Sequence, residues 1–195
     1  LESGNRGLSF LRDEPLKMTL KKTISETEFD ASDIVNSWDE EDIANVIYAY
    51  GEEQFARRIA RDIVAAREVS PIKTTTDLVN IISAAVPAFY KKGRIHPATK
   101  TFQALRIAVN DELGNLKAVL EKGFESLASD GRMAVISFHS LEDRIVKNFF
   151  KDRDKEGTGE LINKKPIIPS PEEIKENPRS RSAKLRDRKS TRLNS

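Results

Sequence analysis

The sequence has no cysteine and only two histidines among its 195 residues. Disulfides and thiolate metal ligands are therefore excluded, and two histidines that lie 43 residues apart do not form a zinc-binding pattern. We accordingly expect no metal site. The lack of cysteine also suits the reducing cytoplasm, where we expect the protein to reside.

Long hydrophobic runs and glycine-rich loops are missing as well. The longest apolar run, residues 79–86, is broken by Asn80 and Ser83 and falls short of the ~20 residues that cross a bilayer. The chain also begins without a basic and then apolar leader, so we expect neither a membrane span nor a signal segment. No glycine-rich loop joins a strand pattern to a helix pattern, and no serine has the flanking glycines of a hydrolase elbow. Serine-hydrolase chemistry is therefore excluded.

Positive charge is unevenly distributed. The net charge is only +2, yet residues 179–195 contain seven Lys or Arg and a single Asp. A basic end on a mildly acidic body suits a polyanionic partner, and it equally suits a solvated tail.

Apolar periodicity predicts a largely helical chain. Residues 1–33 show no clean period, and we interpret them as a connector that Phe10, Leu11 and Leu16 attach to a neighbouring element. Capping residues and apolar spacing then predict five helices. These run from Ser37 to Gly51, from Glu52 to before Pro71, from Thr74 to Pro87, from Pro97 to Leu127 with a weak point at Gly114, and onwards from Ser140.

One short apolar run has the length of a strand. Residues 133–138 follow the turn Ser129-Asp130-Gly131 and precede a helix, which predicts a buried parallel strand. The order helix, turn, strand, helix is typical of an open α/β sheet, so we predict the α/β class. Residues 166–168 are the other candidate for sheet pairing, and we expect no strand after Arg186.

Polar residues at the end of this strand form the first candidate site. Ligands of doubly wound sheets bind outside the carboxyl ends of strands, where Ser137, Phe138, His139 and Ser140 fall. The alternative is structural: Ser137 or Ser140 caps the next helix and His139 is a hydrogen-bonded loop residue.

Clustered cations form the second candidate. Arg57, Arg58 and Arg61 share a polar helix face, whereas Lys91, Lys92 and Arg94 lie in a basic loop. Residues 96–101 open a helix whose first amides, helped by Lys100, are suited to a phosphate or carboxylate. A solvated face and an ordinary helix start are the alternatives.

Six strings together resemble one family. They are Arg6 to Phe10 (RGLSF), Arg12 to Leu16 (RDEPL), Tyr50 to Arg61 (YGEEQFARRIAR), His96 to Leu113 (HPATKTFQALRIAVNDEL), Ile136 to Lys147 (ISFHSLEDRIVK) and Asn177 to Arg186 (NPRSRSAKLR). In this order they closely resemble the MraW, or RsmH, methyltransferases over roughly residues 1–186.

This resemblance implies an enzyme that transfers a methyl group from S-adenosylmethionine to N4 of a cytidine in the decoding region of bacterial 16S ribosomal RNA. The implied fold is a Rossmann-like methyltransferase domain interrupted by a helical domain that meets the RNA. The corresponding bounds are 1–33 for a connector, 34–95 for the inserted domain and 96–186 for the C-terminal part of the catalytic domain. Residues 187–195 are expected to be a foreign or disordered tail.

The resemblance also assigns roles to the two candidate sites. It implies that the cofactor-binding segments precede Leu1, so we expect these residues alone to be inactive. His139 is then expected to bond the substrate base or its phosphate, with Ser137, Phe138 and Ser140 around it, while the seven cations contact RNA phosphates. The alternative function is a non-catalytic, RNA-binding helical module.

Overall fold

The structure, a computed structural model, describes residues 6–21 and 29–191. These residues form two compact units that fall within Leu1–Glu112 and Leu113–Ser195. Parts of the predicted connector, residues 1–5 and 22–28, and the last four residues of the predicted tail lie outside the described part. No helix in the described part is long and apolar enough to cross a membrane.

The first unit consists of short helices around one apolar core. Its buried side chains come from the connector, from four successive helices and from the start of a sixth helix, and include Leu16, Ile47, Ile63, Ile82 and Phe102. The helices are α1 (Ala31–Ser37), α2 (Glu40–Gly51), α3 (Ala56–Val69), α4 (Thr75–Ala85), α5 (Ala88–Lys91) and α6 (Thr99–Asn110).

The connector packs as predicted, with one exception. Leu16 is buried and its amide donates to the carbonyl of Lys73 at 3.0 Å. Phe10 stacks on His96 with ring centroids 4.8 Å apart. The prediction for Leu11 is wrong, because this side chain is 83% exposed.

Local capping decides where several helices begin. Thr74, one of the expected N-cap residues, caps α4 and forms a capping box with Asp77. Asp30 and Asp33 form a second box that starts α1, a helix that the sequence interpretation did not predict and whose residues 31–33 it assigned to the connector. The apolar residues of α1 are too few to show a period, so the cap was its main signal.

The long helix predicted from Pro97 to Leu127 is divided. Asp111 adopts a left-handed conformation with φ of 44°, which ends α6 at Asn110 and separates it from α7 (Glu112–Glu125). The predicted weak point at Gly114 is therefore wrong, and Gly114 lies within α7. Asp is among the few residues other than glycine that adopt this conformation with little strain.

The second unit packs helices on a three-stranded sheet. Its strands follow the order β1-β3-β2, and β3 pairs antiparallel with both neighbours. Leu120, Val146 and Phe150 form its apolar core. After α7, its elements are β1 (Arg132–Ser137), α8 (Ser140–Lys155), β2 (Gly159–Leu161), α9 (Pro171–Glu176), a 3-10 turn (Pro178–Ser182) and β3 (Lys184–Ser190).

The mixture of helices and a sheet confirms the α/β class, but two strand predictions are wrong. β1 is half-exposed and pairs antiparallel with β3, so it is not a buried parallel strand within the described residues. A strand also continues beyond Arg186, since β3 extends to Ser190. The sequence pattern did not predict this strand because its residues are mostly charged. One of them, Arg188, is nevertheless fully buried and donates to the carbonyls of Phe150 and Gly159. The predicted pairing of residues 166–168 is confirmed by the bridge between Ile167 and Leu185.

An ion pair attaches α8 to β3. Arg186 donates to both carboxylate oxygens of Asp143, at 2.7 and 3.1 Å, and Lys184 lies 3.2 Å away. The Arg186 hydrogen bonds are the main cause that holds the pKa of Asp143 below its ordinary value of 3.8, against the opposing effect of burial. The carboxylate is therefore more stable in the folded chain than in the unfolded chain.

We expect the replacement Asp143→Asn to lower the free energy of unfolding at neutral pH by about 1–3 kcal/mol. Because the folded pKa is depressed, this contribution is present above the unfolded pKa and disappears as the pH falls through the folded pKa. Urea unfolding at a series of pH values checks this. The native chain and the variant should converge below pH 3.8, and an equal difference at every pH would contradict the prediction.

Candidate functional site

The turn between β1 and α8 is organised by His139. This residue is the N-cap of α8, and its Nδ1 accepts the Glu142 amide at 3.3 Å. Its Nε2 lies 3.4 Å from a carboxylate oxygen of Glu142, and only 10% of the side chain is exposed. Glu142 in turn accepts the amides of Phe138 at 2.9 Å and of His139 at 3.3 Å. The histidine is thus held firmly at the end of the strand.

The other predicted residues of this turn have different surroundings. Phe138 is 55% exposed, whereas Ser137 is buried and its hydroxyl donates to the Lys184 carbonyl at 3.4 Å. Ser140 is the exposed first residue of α8. The alternative prediction, that Ser137 or Ser140 caps α8, is wrong in its residue, because the N-cap is His139. Of the four, Phe138 offers the largest accessible surface to a ligand.

This junction does not have the features of a cofactor-binding loop. A phosphate- or carboxylate-binding loop presents free backbone amides at the start of a helix. Here the amides of Phe138, His139 and Glu142 are bound by side chains of the same turn, and the turn contains no glycine. The residues at this strand end therefore do not fit the anionic groups of a nucleotide-like cofactor.

Three of the predicted cations lie on α3, and two of them oppose the helix dipole. Arg57 and Arg58 occupy the first turn of α3, which contains no acidic residue. An anion at a helix N-terminus stabilises the helix by roughly 0.3–1 kcal/mol. A cation at the same position is unfavourable by some tenths of a kcal/mol. Both side chains are exposed, as is Arg61, which pairs with Asp62 at 3.0 Å.

The basic loop lies beside the start of α3. Tyr90 on α5 donates a hydrogen bond to the fully buried carboxylate of Glu53, which also accepts the Phe55 amide at 2.9 Å. Burial, followed by the Glu53 hydrogen bond, raises the pKa of Tyr90, so the phenol stays protonated and continues to donate. The Phe55 ring packs edge-on against Tyr90, with centroids 5.0 Å apart.

These contacts join two chain segments that each carry cations and that lie over 30 residues apart in the sequence. Arg57 and Arg58 follow Phe55 directly, while Lys91 and Lys92 follow Tyr90, and Arg94 comes shortly after. We call these five residues the basic surface. All five are exposed, and none forms an ion pair with another residue in the described part of the chain.

The start of α6 does not support the predicted anion site. The amides of Ala98 and Thr99 donate to Nδ1 and to the carbonyl of His96, at 3.2 and 3.0 Å. Lys100 donates to the Glu52 carbonyl at 2.9 Å, so this cation joins α6 to the end of α2. The ordinary helix start is the better description.

Sequence reasoning missed two residues that shape these sites. Glu53 looked like a helix-opening acid but is buried under Tyr90, and Phe89 is 70% exposed on the short helix α5. The helix itself was interpreted as a loop. An aromatic pair directly before a run of cations, Phe89-Tyr90-Lys91-Lys92, was the available signal.

Comparison with known proteins identifies the family. A sequence model described as the MraW methylase family matches residues 1–190. A ribosomal RNA small subunit methyltransferase H from Synechococcus elongatus is 53% identical over 186 residues, which cover 95% of this chain and 60% of the relative. Proteins of the same name from Persephonella marina and Brevibacillus brevis are 52% and 45% identical and are covered over 61% and 63% of their lengths.

The predicted resemblance is thereby confirmed at the level of the family. The chain spans about 60% of the length of the curated relatives that it matches. Over nearly all of its own length it follows a single family pattern. The chain belongs to the MraW methylase family.

Proposed function

We propose that this chain is part of a methyltransferase that modifies N4 of a cytidine in the decoding region of 16S ribosomal RNA. The observation that carries the proposal is the identity of about 50% to relatives named as ribosomal RNA small subunit methyltransferases. The proposed methyl donor is S-adenosylmethionine. The proposed location is the cytoplasm.

The sheet of the second unit supports a Rossmann-like catalytic domain. Because β1 and β2 both pair antiparallel with β3, they run parallel to each other, and α8 connects them. Parallel strands joined by a helix are the repeating unit of doubly wound sheets, which often include one reversed strand. We propose that β1, α8 and β2 belong to such a domain and that residues 34–95 are its helical insertion. Helix α6 shares the core of the first unit, so the proposed insertion packs on a helix assigned to the catalytic part.

We place the methyl-donor site in the part of the relatives that this chain does not cover. The amides of the β1–α8 junction are bound by the turn's own side chains, which argues against a cofactor at that point. The donor supplies the methyl group, and the residues of this chain act on the substrate.

A cytosine amine is a weak nucleophile because its lone pair is delocalised into the ring. An enzyme must therefore hold the amine in place with hydrogen-bond acceptors, and it must take the base out of its stack. We propose that the turn formed by residues 137–140 lines the pocket for this base. Phe138 contributes an exposed ring for contact with the base, and His139, the N-cap of α8, is the polar group beside it.

The basic surface is the proposed RNA contact. Phosphate contacts by Lys and Arg supply most of the sequence-independent affinity for nucleic acid. Arg57 and Arg58 support this role, since their position at the start of α3 opposes the helix dipole and neither has an ion-pair partner in the described part of the chain. Arg61 and Lys100 are lesser candidates, because each already has a partner in the chain.

A second candidate function is a non-catalytic RNA-binding module. It is favoured by the first unit, which has its own core and carries the whole basic surface. Under this alternative the 195 residues bind RNA without any methyl donor.

For the arginines of α3, we expect the double replacement Arg57→Glu and Arg58→Glu to weaken RNA binding without destabilising the fold. Acidic residues suit a helix N-terminus, so the free energy of unfolding should stay equal or rise by about 0.3–1 kcal/mol per residue. The slope of log affinity against log salt for single-stranded RNA should fall by about 0.7 for each phosphate that the variant no longer neutralises. Fluorescence anisotropy at several salt concentrations measures both affinity and slope.

The matched control is Lys117→Glu, in which an exposed cation of α7 is reversed. This variant tests whether net charge alone changes the affinity. The comparison uses the single replacements Arg57→Glu, Arg58→Glu and Lys117→Glu. If Lys117→Glu lowers the RNA affinity as much as either arginine replacement, a localised RNA surface is contradicted.

For His139, we expect the replacements by Ala and by Asn to separate capping from contact with the base. Asn is a good N-cap, so His139→Asn should retain stability, whereas His139→Ala should lose about 1 kcal/mol. If the imidazole bonds the base, both variants should lose at least tenfold in kcat, the effect of one hydrogen bond to a reacting group. The measurements are thermal unfolding and methyl transfer by a chimera in which residues 1–190 replace the matching segment of the Synechococcus elongatus relative.

Full turnover by the Asn variant, together with loss in the Ala variant, would limit His139 to capping α8. Replacement of exposed Arg144 on the same helix by Ala serves as a control for general changes to α8.

For the methyl donor, we expect the 195-residue chain to show no micromolar binding of S-adenosylmethionine in titration calorimetry, whereas the chimera should bind it. A micromolar dissociation constant for the chain alone would show that its own residues form the donor site. RNA binding by the chain, combined with a chimera that neither binds the donor nor transfers methyl, would favour the module.

A further inference from the structure

The short helix α5 presents an aromatic ring to solvent shortly before the cations Lys91 and Lys92 of the basic surface. Phe89 is 70% exposed, and no residue of α5 is buried. The next residue, Tyr90, points its hydroxyl to the buried Glu53 carboxylate. Since Tyr90 anchors the helix, Phe89 is held at the surface without contributing to the core.

The Phe89 ring is also oriented by a neighbour. The rings of Phe55 and Phe89 lie 6.4 Å apart at an interplanar angle of 64°, which is an edge-to-face arrangement. Phe55 itself packs on Tyr90 and is half-buried in the core of the first unit. The contact therefore supports one side of the Phe89 ring and leaves most of the ring accessible.

The surroundings of this ring distinguish between kinds of partner. Lys91 and Lys92 follow it in sequence, and Arg57 and Arg58 follow the supporting Phe55. The centre of a protein–protein interface is usually depleted of charge, so a ring flanked by unpaired cations does not match that pattern. Phosphates alone do not account for the ring either, because an exposed phenylalanine adds nothing to the binding of an anion.

Single-stranded RNA supplies both complementary features. Its phosphates suit the cations, and its unpaired bases stack on aromatic side chains regardless of sequence. We propose that Phe89 is a stacking platform for an unpaired RNA base, with the basic surface holding the phosphates on either side. This inference rests on the proposed RNA contact and makes it specific for single-stranded rather than duplex RNA.

The proposal predicts that Phe89→Leu selectively weakens binding of single strands. Leu retains an apolar side chain on α5 but has no ring on which a base can stack. We expect about a tenfold loss of affinity for a labelled single-stranded RNA of about 12 nucleotides. The salt slope should stay unchanged because the cations still neutralise the same phosphates, and affinity for the same strand annealed to its complement should not change.

The control for this experiment is Tyr48→Leu. Tyr48 is 68% exposed, comparable with Phe89, but lies on α2, which contains no Lys or Arg. We expect this replacement to leave the affinity for single strands as it is. Circular dichroism and thermal unfolding of the complete 195-residue chain verify that each variant folds, and the chimera described above repeats the comparison.

A second readout follows the ring directly. In the background Trp38→Phe, which removes the only tryptophan, Phe89→Trp places the sole indole on the platform. Single-stranded RNA should quench its fluorescence on binding, and this variant should bind at least as tightly as the native chain because indole offers a larger stacking surface. Duplex RNA should cause less quenching.

The outcomes separate this inference from the proposed function. If Phe89→Leu leaves single-strand affinity unchanged while Arg57→Glu and Arg58→Glu reduce it, the stacking platform is wrong and the RNA surface remains. Equal losses for single-stranded and duplex RNA would also overturn the platform. If the native chain and the chimera bind no RNA, the RNA contact itself fails.

Discussion

The hydrogen bond between Tyr90 and the buried Glu53 carboxylate fixes the most distinctive surface of this protein. A carboxylate removed from water is costly unless hydrogen bonds satisfy it, and here the phenol of Tyr90 and the amide of Phe55 both donate to it. One donor comes from the start of α3 and the other from α5. Satisfying Glu53 therefore requires these two elements to lie side by side.

This requirement places chemically different groups on a common surface. The cations of α3 and of the basic loop are distant in sequence and adjacent to the same aromatic contact, that of Phe55 with Phe89 and Tyr90. Arg57 and Arg58 sit where the helix dipole disfavours them, which argues that binding rather than stability accounts for them.

The strand-end turn illustrates how capping and the proposed contact with the base involve the same residues. His139 accepts the Glu142 amide, and Glu142 accepts two amides in return, so the turn is rigid before any ligand arrives. A rigid turn at the end of a strand is a suitable wall for a substrate pocket, since little ordering remains to be done on binding. The same bonds make the turn a poor receptor for a phosphate.

Much of this arrangement was predictable from local pattern. The capping box of Thr74 and Asp77, the start of α8 after His139 and the strand before it are all short-range features, and the structure has them. The family resemblance was equally readable, because it depends only on the order of residues. Candidate cations were found by composition, but their common location was not.

Tertiary structure decided the features that depend on distant partners. Charge pattern argued against a strand at residues 187–190, yet Arg188 is buried there because the carbonyls of Phe150 and Gly159 accept its protons. Asp111 ends α6, although the apolar periodicity predicted one helix continuing past this residue. A single left-handed residue leaves the apolar spacing unchanged, so the pattern could not reveal the break. The sequence by itself determined the family, the class and the local caps, which are properties of neighbouring residues. Only the folded chain decided which charges are buried, which are exposed and which ring lies among them, because those outcomes depend on groups brought together from far along the sequence.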